Sequence, residues 1–168
     1  MAYLDHVRDS QQIVARCAVI TLSDTRTALT DKSGRRIREM LEADGHAIFR
    51  QEVIPDDTAR LQNRLTELLS LHEVDVVLTN GGTGISRRDT TIEVVETYLD
   101  QALPGFGELF RMLSFQEIGS GAILSRAIGG IARGKLLFAM PGSTGAVELA
   151  MSKLILPELR HLVHEMRK

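Results

Sequence analysis

The chain has 168 residues, a formal net charge of −2, no tryptophan and a single cysteine. This length is typical of one domain with one hydrophobic core. The near-neutral charge provides no basic field for nucleic acid or an anionic membrane, and few aromatic residues are available for base stacking. Because Cys17 has no partner in the chain, an internal disulfide is excluded, which fits a reducing compartment.

Residues 1–16 lack the apolar core of a signal peptide, and no later stretch is apolar enough to span a bilayer. We therefore expect a cytoplasmic protein without nucleic-acid or membrane partners. Residues 1–14 are expected to form an N-terminal extension, and residues 15–168 a single domain.

Strand-like and helix-like patterns alternate along the chain. Apolar, β-branched runs predict strands over residues 17–22, 47–54, 74–79 and 135–140. Apolar spacing predicts helices that begin near residues 34, 58, 91 and 104, a short helix over 122–128, and a long C-terminal helix from 146 that Pro157 kinks or divides. The helix from Pro104 has more large apolar residues than one face needs, which favours a subunit contact. The alternation predicts an α/β fold with a largely parallel sheet covered by helices on both faces.

Four polar loops follow the predicted strands, over residues 23–33, 55–58, 80–90 and 141–144. The carboxyl ends of parallel strands share one edge of a sheet, where open α/β folds bind ligands, so we expect these loops to converge. Hydroxyls, acids and a glycine that suit ligand recognition lie at both ends of the first loop, in Ser23, Asp24, Asp31, Ser33 and Gly34. Asp31 or Ser33 can equally be explained as the cap of the following helix.

The third loop contains the turn Gly81-Gly82-Thr83-Gly84, with Ser86 soon after it. Such a turn leaves backbone N–H groups uncovered before a helix, which favours anion binding. It lacks the Gly-Lys-Ser/Thr ending of a Walker A loop and the G-x-G-x-x-G of dinucleotide-binding folds, so it indicates a different kind of phosphate site. The alternative is a tight turn that needs glycine for its backbone angles.

The fourth loop, Pro141-Gly142-Ser143-Thr144, repeats the order of strand, turn and helix. Its Ser143 is explained either as a helix cap or as a donor to a phosphate. Asp56 in the second loop and Asp89 in the third each lie near the start of a helix. Each is explained either as a cap or as a carboxylate that binds Mg²⁺ beside a phosphate, and the helix after the second loop can be capped by Asp56 or by Asp57. Together they predict an acidic cluster suited to Mg²⁺ bridged to the phosphates of a nucleotide.

Several segments form a combined signature, namely Thr79–Gly84 with Asp89-Thr90-Thr91, Phe110–Phe115 with Glu117-Ile118-Gly119, Leu124–Ala127, and Phe138–Ser143. Their order and spacing resemble the MoaB/Mog family of molybdenum cofactor biosynthesis proteins, and its MoaB branch in particular. The resemblance implies a three-layer α/β/α fold with a mostly parallel central sheet. It also implies binding of molybdopterin and, in active members, adenylylation of its terminal phosphate by Mg-ATP with release of pyrophosphate.

The resemblance also implies residue roles and an assembly. Two family aspartates tied to catalysis fall on Asp56 and Asp89, and some MoaB-branch members that lack the first are considered inactive. The predicted contacts of molybdopterin or its phosphate are Gly81, Gly82, Thr83, Gly84, Ser86, Pro141, Gly142, Ser143 and Thr144. The predicted nucleotide contacts are Ser23, Asp24, Asp31, Ser33 and Gly34. The family assembles as homotrimers or, for some MoaB members, hexamers. The alternatives to an enzyme are a non-catalytic carrier of molybdopterin or nucleotide and, more generally, a nucleotide-binding scaffold that acts through its oligomer.

Overall fold

A single six-stranded sheet organises the protein, whose computed structural model describes residues 2–168, all but Met1. The strands are β1 (Arg16–Leu22), β2 (Ala47–Ile54), β3 (Val76–Asn80), β4 (Gln101–Ala102), β5 (Ile128–Ala132) and β6 (Lys135–Met140). Their order across the sheet is β2-β1-β3-β6-β5-β4. Neighbours among β2, β1, β3 and β6 are parallel, whereas β5 pairs antiparallel with both β6 and β4. The predicted mostly parallel sheet is confirmed.

Helices cover both faces of the sheet. They are α1 (Ala2–Asp9), α2 (Lys32–Ala43), α3 (Thr58–Ser70), α4 (Thr91–Tyr98), α5 (Pro104–Ile118), α6 (Thr144–Ala150) and α7 (Leu156–Met166). One apolar core packs α2, α5, α6 and α7 against the sheet, and a second core packs α3 and α4 against the other face. Side chains alternate between the cores along each central strand: Phe138 of β6 points into the first, and Leu137 and Ala139 point into the second. The predicted three-layer α/β/α architecture is therefore confirmed.

The N-terminal segment contributes α1, which packs against α7. The ring of Tyr3 meets that of His161 edge-on, with 5.4 Å between the centroids. Met1, the first residue of the predicted extension, lies outside the described residues. Among residues 2–168, no helix is both long enough and apolar enough to cross a membrane.

The structure departs from the sequence prediction near the antiparallel edge of the sheet. The helix predicted over residues 122–128 is wrong in extent: a 3-10 helix ends at residue 124, and β5 begins at Ile128. Sequence analysis missed both β5 and β4. The glycines of β5 disguise it, because glycine is unfavourable within strands. Here close packing requires them, since a Cβ on Gly129 would lie 2.4 Å from Cδ1 of Phe138 and one on Gly130 would lie 2.3 Å from a β4 carbonyl oxygen.

The C-terminal helix is divided, as expected from Pro157. A π-helical segment over Met151–Ile155 separates α6 from α7, and Pro157 lies in the first turn of α7. Proline has no N–H to donate within a helix, so the regular ladder is interrupted at this point. The wider π turn accommodates the interruption and lets the helical segments follow one another.

The parallel strands end in register, which brings the four loops side by side. Leu22 at the end of β1 pairs with Ile54 at the end of β2, and Asn80 of β3 pairs with both Thr21 and Met140. The crossover connections change direction between β1 and β3, and open α/β sheets bind ligands outside such a point. The predicted convergence of the loops is confirmed.

Asp75 lies at the amino ends of the parallel strands, opposite the four loops, and its side chain is 8% exposed. Its carboxylate accepts hydrogen bonds from the backbone N–H of Arg16 at 2.8 Å, from Arg16 Nε at 3.0 Å and from Arg167 Nη2 at 2.9 Å. Burial by itself raises the pKa of Asp75, but the bonds from Arg16 and Arg167 outweigh it and lower that pKa to about 2. Asp75 thus connects β1, β3 and the C-terminus.

Replacing Asp75 with asparagine tests this connection. The folded pKa lies below the unfolded value of about 3.9, so the stabilisation is complete above about pH 4 and disappears as the pH falls towards 2. With allowance for the solvent around both guanidinium groups, we expect Asp75→Asn to lower the free energy of unfolding by about 1–2 kcal/mol at neutral pH. Urea unfolding at several pH values should show the difference shrinking between about pH 4 and 2.

The control is Glu39→Gln, which removes an exposed ion pair with Arg36. This substitution should change the free energy of unfolding by less than about 0.5 kcal/mol at every pH. A destabilisation by Asp75→Asn that does not vary with pH would contradict the role of its charge.

Candidate functional site

A buried polar network fixes the first loop against the ends of β1 and β3. The Thr21 hydroxyl donates to Asp31 Oδ2 at 2.7 Å, and Asp31 Oδ1 accepts the backbone N–H of Gly34 at 3.0 Å. The Ser33 hydroxyl donates to Asn80 Oδ1 at 2.7 Å, and the Asn80 amide donates to Thr21 Oγ1 at 2.9 Å. These polar side chains are at most 1% exposed, so each depends on its partners inside the protein.

This network contains three of the residues predicted to contact a nucleotide. Asp31 is the cap of α2, one of the two explanations that its position in the sequence allows. A Cβ on Gly34 would lie only 2.1 Å from Asp31 Oδ2. Only glycine at position 34 therefore allows the first turn of α2 to lie this close to its cap. Asp31, Ser33 and Gly34 therefore lie beneath the loop surface, whereas Asp24 is exposed upon it. Ser23 is half-buried, and its hydroxyl oxygen accepts the backbone N–H of Arg26 at 3.1 Å.

Arg26 joins the first loop to the fourth. Its Nη1 donates to Ser33 Oγ at 2.7 Å, and its Nη2 donates to the carbonyl oxygen of Gly142 at 3.0 Å. The carboxylate of Asp31 lies 3.9 Å from the same guanidinium. Sequence analysis missed Arg26, because nothing in the sequence distinguishes it from the other arginines that lie in loops.

The glycine turn of the third loop fits both explanations proposed for it, namely a tight turn that needs glycine and an anion site. Gly81 has φ +92°, and a Cβ there would lie 2.4 Å from the carbonyl oxygen of Leu22, so glycine is required. The backbone N–H groups of Gly82, Thr83 and Gly84 nevertheless donate no hydrogen bond to any acceptor within residues 2–168. Thr83 is buried as a whole residue, whereas Gly82 and Gly84 on either side of it are partly exposed. We call this turn the candidate anion cradle, because backbone N–H groups without acceptors are suited to an anion.

Carboxylates border this cradle. A Cβ on Gly82 would lie 2.8 Å from Asp56 Oδ1, and one on Gly84 would lie 2.6 Å from Asp89 Oδ2. Burial, followed by the negative charges of Asp89 and Asp24, raises the pKa of the Asp56 carboxyl. The second and third loops thus bring together the two aspartates that the sequence singled out, and Asp24 of the first loop joins them.

Neither of these two aspartates is a helix cap. Asp89 Oδ2 accepts the backbone N–H of Ser86 at 2.9 Å and closes a turn inside the third loop, while Thr90 is the N-cap of α4. In the second loop, Asp57 and not Asp56 caps α3. The cap explanation is therefore wrong for Asp89. For α3 the cap is Asp57, one of the two aspartates that the sequence allows, and the Asp56 carboxylate needs another explanation.

The carboxylates fit a cation that arrives together with a ligand. Within the described part of the chain, no group of three or more histidine, cysteine, aspartate or glutamate side chains could hold a metal ion. Mg²⁺ takes oxygen ligands, and beside phosphates it commonly uses one or two carboxylates and completes its shell with phosphate oxygens and water. Asp56 and Asp89 are suited to that arrangement, because they flank a cradle for phosphate.

The fourth loop forms the other side of the site. Ser143 Oγ accepts the backbone N–H of Ala146 at 3.2 Å and so caps α6, while its hydroxyl hydrogen remains able to donate to a ligand. A Cβ on Gly142 would lie 3.0 Å from the Cα of Gly81, so the third and fourth loops touch backbone to backbone. Thr144, the first residue of α6, is exposed.

A cavity of about 270 Å³ opens beside this loop. Pro141, Ser143 and Gly145 line one side, and Ser114 and Glu117 of α5 line the opposite side. A larger concavity of about 630 Å³ lies between α2 and β2, where arginines and glutamates alternate. Only the smaller cavity adjoins the loop that touches the glycine turn.

Residues 18–161 match the family model described as "Probable molybdopterin binding domain". The molybdenum cofactor biosynthesis protein B of Halalkalibacterium halodurans is 51% identical over 169 residues, which cover 100% of this chain and 99% of that protein. The protein of the same name from Bacillus subtilis (strain 168) is 50% identical over the same shares.

Solved structures are also similar to this chain over most of its length. A crystal structure of molybdenum cofactor biosynthesis protein B has a TM-score of 0.90 and 53% identity, covering 92% of this chain and 97% of that chain. The tungsten cofactor synthesizing protein MoaB from Pyrococcus furiosus has a TM-score of 0.83 and 36% identity, covering 92% and 98%. The similarity inferred from separate motifs therefore extends over nearly the whole fold.

Replacing Gly82 with alanine tests the packing of the carboxylates. The new methyl group would lie 2.3 Å from Thr91 Oγ1 and 2.8 Å from Asp56 Oδ1, at a φ of +65°. We expect the free energy of unfolding to fall by about 2–3 kcal/mol and the NMR signal of the Asp56 carboxyl to shift. Gly105→Ala is the matched control, since a Cβ there has nothing within 4 Å, and it should change stability by less than about 1 kcal/mol. Equal effects of the two substitutions would contradict this description of the turn.

Proposed function

The chain belongs to the MoaB/Mog family of molybdenum cofactor biosynthesis proteins, which share a molybdopterin-binding domain, and on that premise we propose that it adenylylates molybdopterin with Mg-ATP. An oxygen of the terminal phosphate of molybdopterin attacks the α-phosphorus of ATP. A bond forms between these two atoms, the bond from the α-phosphorus to the bridging oxygen breaks, and pyrophosphate leaves. When bound, Mg²⁺ offsets negative charge on the triphosphate and on the leaving pyrophosphate.

One juxtaposition carries this proposal. Asp56 and Asp89 lie against Gly82 and Gly84, whose backbone N–H groups donate to no acceptor within residues 2–168. The N–H groups attract a phosphate, whereas the carboxylate pair repels it unless a cation lies between the carboxylates and the phosphate. A magnesium-bound triphosphate supplies both the anion and the cation, so it suits the site better than a free phosphate does.

Different loops bind the two substrates: the third and fourth loops bind molybdopterin, and the first loop binds ATP. The phosphate of molybdopterin lies between the glycine turn and the Ser143 hydroxyl, and the pterin enters the cavity beside Pro141. ATP lies on the side of the first loop, where Asp24 is exposed and Ser23 is half-buried. The protein contributes position and charge, which are the main catalytic contributions in phosphoryl-type transfers, and no covalent intermediate on the chain is expected.

The direct test is to incubate the purified chain with molybdopterin and Mg-ATP. Release of pyrophosphate that stops when magnesium is chelated supports the proposed activity. Tight binding of molybdopterin without release of pyrophosphate contradicts it and identifies the chain as a carrier.

Substitution of the aspartates assigns their roles. Asp89→Asn and Asp56→Asn should each lower the rate of pyrophosphate release by about a hundredfold, because each removes a charge that positions the cation. Asp57→Asn is the matched control: it removes a neighbouring charge, but asparagine still caps α3, so the rate should hold within about twofold. Unchanged turnover by Asp89→Asn would contradict its assignment.

The surface of α5 supports self-association as a homotrimer or hexamer. Met112, Phe115 and Ile118 are 49%, 61% and 60% exposed, and Ile123 of the following 3-10 helix is 82% exposed. Phe106 and Phe110, in contrast, are buried in the core of their own subunit. Exposed apolar side chains concentrated in one segment are typical of an interface between chains.

A charged substitution tests that surface. Phe115→Glu should shift the sedimentation of the protein to smaller species, because it places a charge inside an apolar interface. Phe49→Glu, at a 38% exposed phenylalanine on β2, is the control and should sediment like the unaltered chain. A monomeric unaltered chain at micromolar concentration would contradict the proposed assembly.

A further inference from the structure

Arg88 closes a ring of hydrogen bonds around Asp56. The Nη2 of Arg88 lies 2.9 Å from Asp24 Oδ2 and donates to the carbonyl oxygen of Asp56 at 3.2 Å. Asp24 Oδ1 accepts the backbone N–H of Asp56 at 3.1 Å. Both backbone groups of Asp56 are therefore held, one by Asp24 and the other by Arg88. Since Asp89 follows Arg88 directly, this one guanidinium connects all three loops that bear the carboxylates.

Among residues 2–168, the guanidinium of Arg88 is the cationic group that contacts a carboxylate of this cluster, that of Asp24. Arg26 binds Ser33 and the fourth loop, and Arg126 binds the carbonyl oxygen of Gly84 and the carboxylate of Glu93. The cluster contains the three carboxylates of Asp24, Asp56 and Asp89 and one guanidinium, so its net charge is negative. A divalent cation at Asp56 and Asp89 would therefore be attracted by the carboxylates and repelled by Arg88.

The contacts of Arg88 are weak enough to exchange. The side chains of Arg88 and Asp24 are 67% and 41% exposed, and ion pairs at such positions contribute about 0–1 kcal/mol. A triphosphate offers oxygen atoms that match the planar fork of a guanidinium and bind it more strongly than a solvated carboxylate does. The arginine can thus leave Asp24 when a nucleotide provides a better partner.

We propose that Arg88 is a positioning residue that holds Asp24 and Asp56 in place while the site is free of nucleotide, and that turns to the triphosphate when Mg-ATP binds. This inference rests on the proposed binding of Mg-ATP. When nucleotide is absent, the positive charge of Arg88 opposes the binding of a metal ion at Asp56 and Asp89. Arg88 and the metal act together once a triphosphate lies between them. The same residue then favours the metal–nucleotide complex over the free metal.

The test is a pair of binding measurements on Arg88→Met, with Mn²⁺ as the probe for magnesium. Without nucleotide, Arg88→Met should bind Mn²⁺ about 3- to 10-fold more tightly than the unaltered chain, measured by electron paramagnetic resonance, because a competing charge is gone. With Mn²⁺ saturating, the variant should bind a non-hydrolysable ATP analogue about tenfold more weakly. A residue that served the fold alone would not shift the two affinities in opposite directions.

Two further variants complete the test. Arg88→Lys keeps the charge but loses the fork, so its affinity for Mn²⁺ should match that of the unaltered chain and its affinity for the analogue should be intermediate. Arg87→Met removes the charge of an exposed neighbour that makes no hydrogen bond or ion pair within residues 2–168, and both affinities should stay within about twofold.

The outcomes separate this inference from the function on which it rests. Equal shifts in Arg87→Met and Arg88→Met, or an affinity for Mn²⁺ that does not rise in Arg88→Met, overturn the role of Arg88 and leave Mg-ATP binding in place. An unaltered chain that binds neither Mn²⁺ nor the analogue overturns both.

Discussion

The buried network of Thr21, Asp31, Ser33 and Asn80 is the constraint on which the site depends. It connects the ends of β1 and β3 at the point where the crossovers change direction, and Arg26 extends it to the fourth loop. A buried polar group left without its partner costs about 1–3 kcal/mol, so each member holds the others in one arrangement. The loops above can then be polar and exposed while keeping their positions.

The site is consequently built in two layers. Asp31, Ser33 and Gly34 form the lower layer, where their hydrogen bonds and close packing remain within the protein. The upper layer holds Asp24 beside the loop of Asp56, together with the N–H groups of the glycine turn that donate to no acceptor within residues 2–168. Charge is concentrated in the upper layer, and the lower layer supplies the rigidity that lets like charges stay close.

The sequence predicted the sheet and the meeting of the loops, because buried strands are continuous β-branched runs and parallel strands share one edge. It missed β5, whose glycines serve close packing, and β4, which has only two residues. At Asp89 it could not separate a cap from a functional carboxylate, since either one can precede a helix. The bond to Ser86 and the N-cap at Thr90 exclude the cap. Arg26 was beyond prediction, because its importance lies in a contact with Gly142, far along the chain.

The contact between Gly81 and Gly142 has a consequence for how this family can vary. Where two loops meet through main chain alone, no side chain is available for substitution, so the base of the site offers little for selection to change. With the pterin placed as proposed, differences in the shape of its cavity would arise at lining residues that have side chains, such as Ser114 and Glu117 of α5. Engineering of a new specificity should therefore begin on that helix and leave the glycine loops untouched.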